Sequence, residues 1–223
     1  MRTVIVGDVH GCLDELLALV ERCGDPGDTR YVMVGDLVAK GPDSQGVVAW
    51  ARATRVEAVL GNHDAAVLRV GDPDVDPPPR AHHVAVAETL RDDDLAWLAA
   101  RPLWIEVEGT APASHLVVHG GLVPGVPLAE QERKHLLNLR SITDAGEPTK
   151  KIEGTPWGAL WKGPPHAVFG HDAVRGLQRH PWATGLDTGC VYGGALTALV
   201  LPRGDLVSIR AKRAYVAINE RAK

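Results

Sequence analysis

Two apolar periods alternate along this chain. Residues 2–6 (RTVIV) form a β-branched run that stops at Gly7-Asp8, which predicts a buried strand. Leu13, Leu16, Leu17 and Val20 then recur at helical spacing, so 13–23 is expected as an amphipathic helix. Residues 31–34 predict a second strand, 44–54 a second helix, and 56–60 a third strand ending at Gly61-Asn62-His63-Asp64. Strand alternating with helix predicts right-handed crossovers and a largely parallel sheet at the start.

The pattern then loosens. Residues 71–79 (GDPDVDPPP) form a stiff, turn-rich loop whose acidic groups are expected in solvent. Residues 80–100 are expected to be helical, with His82 and His83 facing solvent or a helix partner rather than a ligand. A strand over 116–118 ends at His119-Gly120-Gly121, and 128–140 fits a helix. Residues 141–165 are rich in turn formers and read as irregular; 167–170 is a strand leading into His171. The tail, 196–201 and 206–209, suits antiparallel strands. Without repeat, low-complexity tract or linker, 1–223 is expected to be one domain.

Composition narrows the picture only slightly. The 223 residues suffice for one buried core, and 45% hydrophobic with 23% charged residues is ordinary globular usage. A net charge of −4 argues against a broad nucleic-acid binder, so no stable nucleic-acid partner is expected. Cys12, Cys23 and Cys190 are too few and too far apart for a disulfide framework, and a reducing, cytoplasmic location is expected. No stretch approaches the ~18 apolar residues of a membrane span, and the opening residues lack the pattern of a signal peptide.

The chemistry gathers at strand ends. Five of them carry metal-type ligands: Asp8 and His10; Asp36; Asn62-His63-Asp64; His119; and His171. In an open α/β sheet such ends line the crevice where ligands bind. Asp8 and His10 are two residues apart, so an extended backbone would aim both at one point while Val9 entered the core. Asp8 as a helix cap with a bystander His10 is the other reading. Asp36 could bridge two cations with its two oxygens. Mixed carboxylate, amide and imidazole donors suit manganese, iron or zinc better than calcium. Two cations ~3.5–4 Å apart could clamp the attacking and leaving oxygens of a phosphoryl displacement and supply a hydroxide near neutral pH. His63, beside Asn62 but free of that duty, could protonate the leaving oxygen. Lys40 and Arg140 could hold phosphate oxygens, Arg140 alternatively forming only a surface ion pair. There is no G-x-x-x-x-G-K-[ST] phosphate loop, no cysteine followed six residues later by arginine, and no G-x-S-x-G elbow.

Taken in order, GDVHG (7–11), GDLVAKGP (35–42), GNHD (61–64), HGG (119–121) and FGH (169–171) resemble the calcineurin-like metallophosphoesterases, within them the phosphoprotein-phosphatase-type branch. The resemblance implies an α/β fold in which a two-sheet β-sandwich is flanked by helices. It implies a first metal on Asp8, His10 and Asp36, and a second on Asp36, Asn62, His119 and His171. His63 would be the general acid, with Lys40 and Arg140 gripping phosphate. Two divalent cations are implied, manganese first, with iron, zinc, cobalt or magnesium as alternatives.

One position departs from that branch. Its protein phosphatases carry G-D-x-V-D-R-G, whereas this chain has Ala39 and Lys40 in place of the Asp and Arg. The neutral residue is similar to the symmetrical diadenosine tetraphosphatases and the ApaH-like phosphatases, and Lys40, 119–131 and 185–202 resemble the ApaH-like group most closely. That resemblance implies hydrolysis of phosphoanhydrides in dinucleoside polyphosphates, capped RNA or polyphosphate. Phosphoproteins or small phosphoesters are the alternative substrates, and a non-catalytic metal-binding regulator the alternative of another class. Without a carboxylate at position 39, His63 lacks one orienting partner and the charge that favours its protonated form. An anhydride, with its good leaving group, tolerates that loss better than a phosphoserine. Tyr192 and Trp161 are the candidates for stacking on a base, with core packing expected for both.

Overall fold

The structure is a computed structural model and describes residues 2–74, 76–108 and 114–217. Val75 of the 71–79 loop, and residues 218–223 at the end of the expected domain, lie outside the described residues.

The first half of the chain runs β1 (Thr3–Val6), α1 (Leu13–Cys23), β2 (Arg30–Met33), α2 (Ser44–Ala53), β3 (Glu57–Ala58), α3 (Asn62–Val67), α4 (Ala81–Thr89) and α5 (Asp92–Ala99). Next come β4 (Trp104–Val107), β5 (His115–Val118), a 3₁₀ turn (Leu128–Glu130), α6 (Arg133–Asn138), β6 (Ser141–Ile142), β7 (Pro148–Thr149), β8 (Thr155–Pro156) and α7 (Trp157–Leu160). The chain finishes with β9 (His166–Phe169), β10 (Gln178–Arg179), β11 (Ala183–Gly185), β12 (Ala195–Leu201) and β13 (Asp205–Arg210).

One five-stranded sheet has the order β13-β12-β1-β2-β3, the other β10-β11-β9-β5-β4, and β7-β6-β8 form a small third sheet. As the alternation predicts, β1, β2 and β3 are parallel. The tail pairs antiparallel, β12 on β1 and β13 on β12. The strand period of two sorts the core into layers. Ile5 and Val32 of the first sheet meet Val117 and Val168 of the second in one buried cluster. Val4, Val6 and Met33 point the other way, onto Leu16 and Leu19 of α1 and Val47 of α2. Leu116, Val118 and Phe169 pack outward on Leu136 of α6 and Trp157 of α7. The result is helices, sheet, sheet, helices, the sandwich that the resemblance implies. Each fully buried Val, Leu or Ile contributes roughly 1.5–3 kcal/mol to this arrangement.

Several local expectations are corrected. Residues 62–67 are a short helix, because Asp64 accepts the Gly61 N–H at 3.0 Å and caps the turn. The expected 80–100 helix breaks at Leu90, whose backbone is extended (ψ 141°), and restarts where Asp94 accepts the Arg91 N–H. The 128–140 helix is interrupted by extended Gln131 and Glu132. The region read as irregular contains β6, β7, β8 and α7, and β4, β10 and β11 were not anticipated. Trp161 packs in the outer cluster of the second sheet, as expected. Among the described residues no helix is long and apolar enough to cross a membrane.

Candidate metal centre

Parallel pairing brings the functional strand ends to one edge of both sheets. Asp8 follows β1, Asp36 follows β2, Asn62 opens α3, His119 follows β5 directly and His171 follows β9. The first two loops lock together: the His10 N–H donates to the Asp36 carbonyl and the Gly11 N–H to the Leu37 carbonyl, each at 2.8 Å. His10 (φ 48°) and Asp36 (φ 49°) are both left-handed. The extended geometry expected for Asp8 and His10 is therefore corrected; a turn, not a strand, aims His10, while Val9 does enter the core. The third loop is anchored when the His63 backbone N–H donates to Asp36 Oδ1 at 2.8 Å. The HGG loop is held by the Gly120 N–H on the Leu136 carbonyl at 2.6 Å and by the Trp157 indole N–H on the Gly120 carbonyl at 3.1 Å.

All six candidate ligands converge. Asp36 turns one oxygen to His10 Nε2 at 3.5 Å and the other to His119 Nε2 at 3.4 Å. Asn62 Oδ1 lies 2.9 Å from both His119 Nε2 and His171 Nδ1. Ligand atoms of Asp8, Asp36 and His119 fall within 4.8 Å of one another, as do those of His10, Asp36 and His63, so Asp36 belongs to both groups. The His171 backbone N–H donates to both oxygens of Asp8, at 3.2 and 3.0 Å, which orients that carboxylate.

The imidazoles carry the test of fit. His10 Nδ1 is 3.1 Å from the Val38 carbonyl, His119 Nδ1 is 2.8 Å from that of Val34, and His171 Nε2 is 3.1 Å from that of Asn138. A carbonyl oxygen only accepts, so each of these nitrogens carries a proton, and in the neutral ring the opposite one is left as a lone pair. His10 Nε2 faces an Asp36 oxygen, His171 Nδ1 the Asn62 oxygen, and His119 Nε2 both. Backbone carbonyls fixing the tautomer of a ring are the usual support for a metal-ligating histidine, so the donor set fits divalent cations.

The electrostatics agree. Burial, reinforced by Lys40, holds the His10 pKa down to about 3 and keeps the ring neutral. Burial and Arg140 likewise push His171 well below its ordinary value. Burial opposes ionisation of Asp36, but His119 and His63 outweigh it and hold that carboxyl well below the usual range. Burial would also lower His119, yet the charge of Asp36 and its hydrogen bond raise it to about 9. A cation binding at His119 Nε2 would take that proton's place. Asp8 is pushed up by burial and then by Asp187.

His63 lies against His10, ring centroids 5.1 Å apart and edge-on. Burial first, then Lys40 and His10, lower its pKa. Lys40 Nζ is 3.3 Å from His10 Nε2 and 5.3 Å from the Tyr192 ring centroid. Tyr192 therefore lines the cleft, while also packing on the buried cluster beneath the first sheet. Arg140 reaches the cleft too, with its guanidinium donating to the carbonyls of Lys150 at 3.0 Å and His171 at 3.1 Å, and Nε 3.7 Å from Asp172. The surface ion pair expected as its alternative is instead a contact with a buried aspartate.

The sequence reading passed over three features. His83 is buried and faces a helix partner, one half of its expectation, but the side chain it touches there is His63 of α3, which was not anticipated. Asp187 is buried beside Asp8 and lines the cleft; it lies in the quoted 185–202 stretch, but nothing in its spacing marks it. The cleft, of about 2070 Å³, also collects scattered cations. Lys40, Arg69, Arg80, Arg133, Lys134, Arg140, Lys150 and Lys151 line it, against the carboxylates of Asp36, Asp187 and Glu153. A chain of net charge −4 thus opens a predominantly cationic cleft over its ligand cluster.

The family model described as calcineurin-like phosphoesterase matches residues 1–207. The chain is 30% identical to a symmetrical bis(5'-nucleosyl)-tetraphosphatase of Methylobacillus flagellatus, over 90% of this chain and 92% of that protein. It is also 30% identical to the asymmetrical bis(5'-nucleosyl)-tetraphosphatase PrpE of Halalkalibacterium halodurans, over 97% of each. A crystal structure described provisionally as that of a diadenosine tetraphosphatase superimposes with a TM-score of 0.83 at 36% identity, covering 94% of this chain and 93% of that one.

Proposed function

The chain belongs to the calcineurin-like phosphoesterases, and from that premise we propose that it is a two-metal hydrolase cleaving diadenosine tetraphosphate symmetrically into two ADP. The observation that carries this reading is the Asp36 carboxylate, one oxygen toward His10 and the other toward His119. A carboxylate shared in this way suits two cations better than one. Asp8, His10 and Asp36 would hold the first; Asp36, Asn62, His119 and His171 the second. Bound there, two divalent cations supply Lewis acidity and a water activated near neutral pH. The mixed oxygen and nitrogen donors favour manganese.

The chain's own groups then position the substrate. The cationic cleft attracts a polyphosphate, and its volume exceeds the ~300–1,000 Å³ of ordinary small-molecule pockets. Lys40 offers a point charge to a phosphate oxygen, and Arg140 the N–H groups its two carbonyl partners leave over. Water forms a new bond to one of the two central phosphorus atoms. The central bridging P–O bond breaks, and ADP leaves with the bridging oxygen. His63 faces that oxygen and donates a hydrogen bond to it. Ala39 offers no negative charge to favour a protonated His63, which suits an ADP leaving group better than a serine alkoxide. The names of the symmetrical relatives support the substrate class.

Product analysis tests the reading. Metal-stripped protein reloaded with manganese is given diadenosine tetraphosphate and a phosphopeptide side by side. Two ADP per tetraphosphate is the expected result. ATP plus AMP would move the chain to the asymmetrical reaction named for its other relative. Turnover of the phosphopeptide alone would move it to phosphoproteins, and no turnover of either with metals bound would leave a regulator.

A further inference from the structure

His83 holds the ring of His63. It projects from the first turn of α4 and is 5% exposed, and its Nε2 lies 2.8 Å from His63 Nδ1. The direction of that hydrogen bond follows from the other side of the His83 ring. The Arg80 backbone N–H donates to His83 Nδ1 at 3.2 Å. A backbone N–H cannot accept, so His83 Nδ1 carries no proton, and in a neutral ring the proton is on Nε2. His83 is then the donor, and His63 Nδ1 the acceptor. A neutral His63 is thereby fixed as the tautomer with its proton on Nε2, the nitrogen pointing away from His83.

We propose that His83 is a positioning residue for His63, supplying from α4 the orienting contact that Ala39 does not. The partner acts by donation. It fixes the ring and its tautomer without adding negative charge, and leaves an N–H, rather than a lone pair, to meet the leaving oxygen. This rests on the reading of His63 as the group facing that oxygen.

His82 Nε2 is also close, 3.1 Å from His83 Nε2, so three imidazoles converge. A cation held by all three would require a lone pair on His83 Nε2 and hence a proton on Nδ1. That proton would point at the Arg80 N–H. The cap of α4 therefore decides for hydrogen bonding over metal ligation.

Two measurements test the proposal. In the zinc-loaded protein, ¹⁵N-detected imidazole spectra should show His63 Nδ1 unprotonated and Nε2 protonated. A protonated Nδ1 in the wild type overturns the proposal, whatever the substrate proves to be. In kinetics with diadenosine tetraphosphate, His83→Ala should lower kcat about 10–100-fold, the range typical of groups that orient a site from one layer out. KM should stay within about twofold and the metal content should be unchanged. His83→Gln, whose amide can still donate, should recover most of the loss. An unchanged kcat in His83→Ala, or loss of metal with no rescue by His83→Gln, overturns the role. If the tetraphosphate is not a substrate at all, the spectra alone decide, which separates failure of this inference from failure of the functional reading.

Discussion

His119 Nε2 lies 3.4 Å from Asp36 Oδ1, while the other oxygen of that carboxylate lies 3.5 Å from His10 Nε2. Asp36 is the one side chain common to both ligand groups, and it is 2% exposed. Its removal should therefore empty the centre as a unit. Asp36→Asn keeps the shape but gives up the charge and one acceptor oxygen. Metal analysis should show the content falling from about two ions per chain to less than one, with activity falling by more than the ~10–100-fold typical of groups one layer out from a metal. His119→Ala should lose one ion and keep the other. Asp36→Asn that retained both ions would show that the two groups are independent and would end the shared-carboxylate reading.

Ala39 makes a separate prediction. Its side chain is buried and its backbone is left-handed (φ 74°), a conformation aspartate adopts more readily than most residues. Ala39→Asp should consequently fold. A carboxylate there would add negative charge near His63, compete with His83 for its Nδ1 and favour the protonated ring, which helps most where the leaving group is poor. The ratio of kcat/KM for a phosphoserine peptide to that for diadenosine tetraphosphate should rise about tenfold, below the ~10²–10⁴-fold that general acid catalysis can contribute. An unchanged ratio removes the argument from Ala39 to an anhydride substrate, while leaving the metal centre untouched.

The strand ends were legible because their signal is local. A β-branched run stopped by Gly-Asp or His marks where a strand emerges, and parallel pairing needs only one register to bring Asp8 and Asp36 together. The division into two sheets was not legible from periodicity. Ile5 and Val117 meet between two different sheets, and an apolar run buried on both faces does not record which sheet it joins. β10 and β11, of two and three residues, are too short to show any alternation. His83 escaped for another reason. Its partner is twenty residues away, and only the packing of α4 on α3 brings them together. The cationic cleft drew on Arg69, Arg133 and Lys150, three separate segments with no shared pattern.

Gly61 connects the fold to the centre, and its substitution separates packing from strain. Its φ of −89° is open to any residue, so its backbone does not require glycine. A Cβ there would overlap the backbone nitrogen and Oδ1 of Asp36. Backbone atoms cannot swing aside as the end of a side chain can, so Gly61→Ala must displace the loop that presents the shared carboxylate. The expected cost is ~1–3 kcal/mol of stability, the range for forcing extra volume into a packed site. Gly125→Ala is the comparison. It meets nothing within 4 Å but has φ +84°, so it should pay only the left-handed strain of roughly 1–2 kcal/mol. Both variants should melt lower. Only Gly61→Ala should lose metal at a concentration that saturates the wild type, read by calorimetric titration with manganese. Equal manganese affinity in the two variants would mean that the Gly61–Asp36 contact does not set the geometry of the centre.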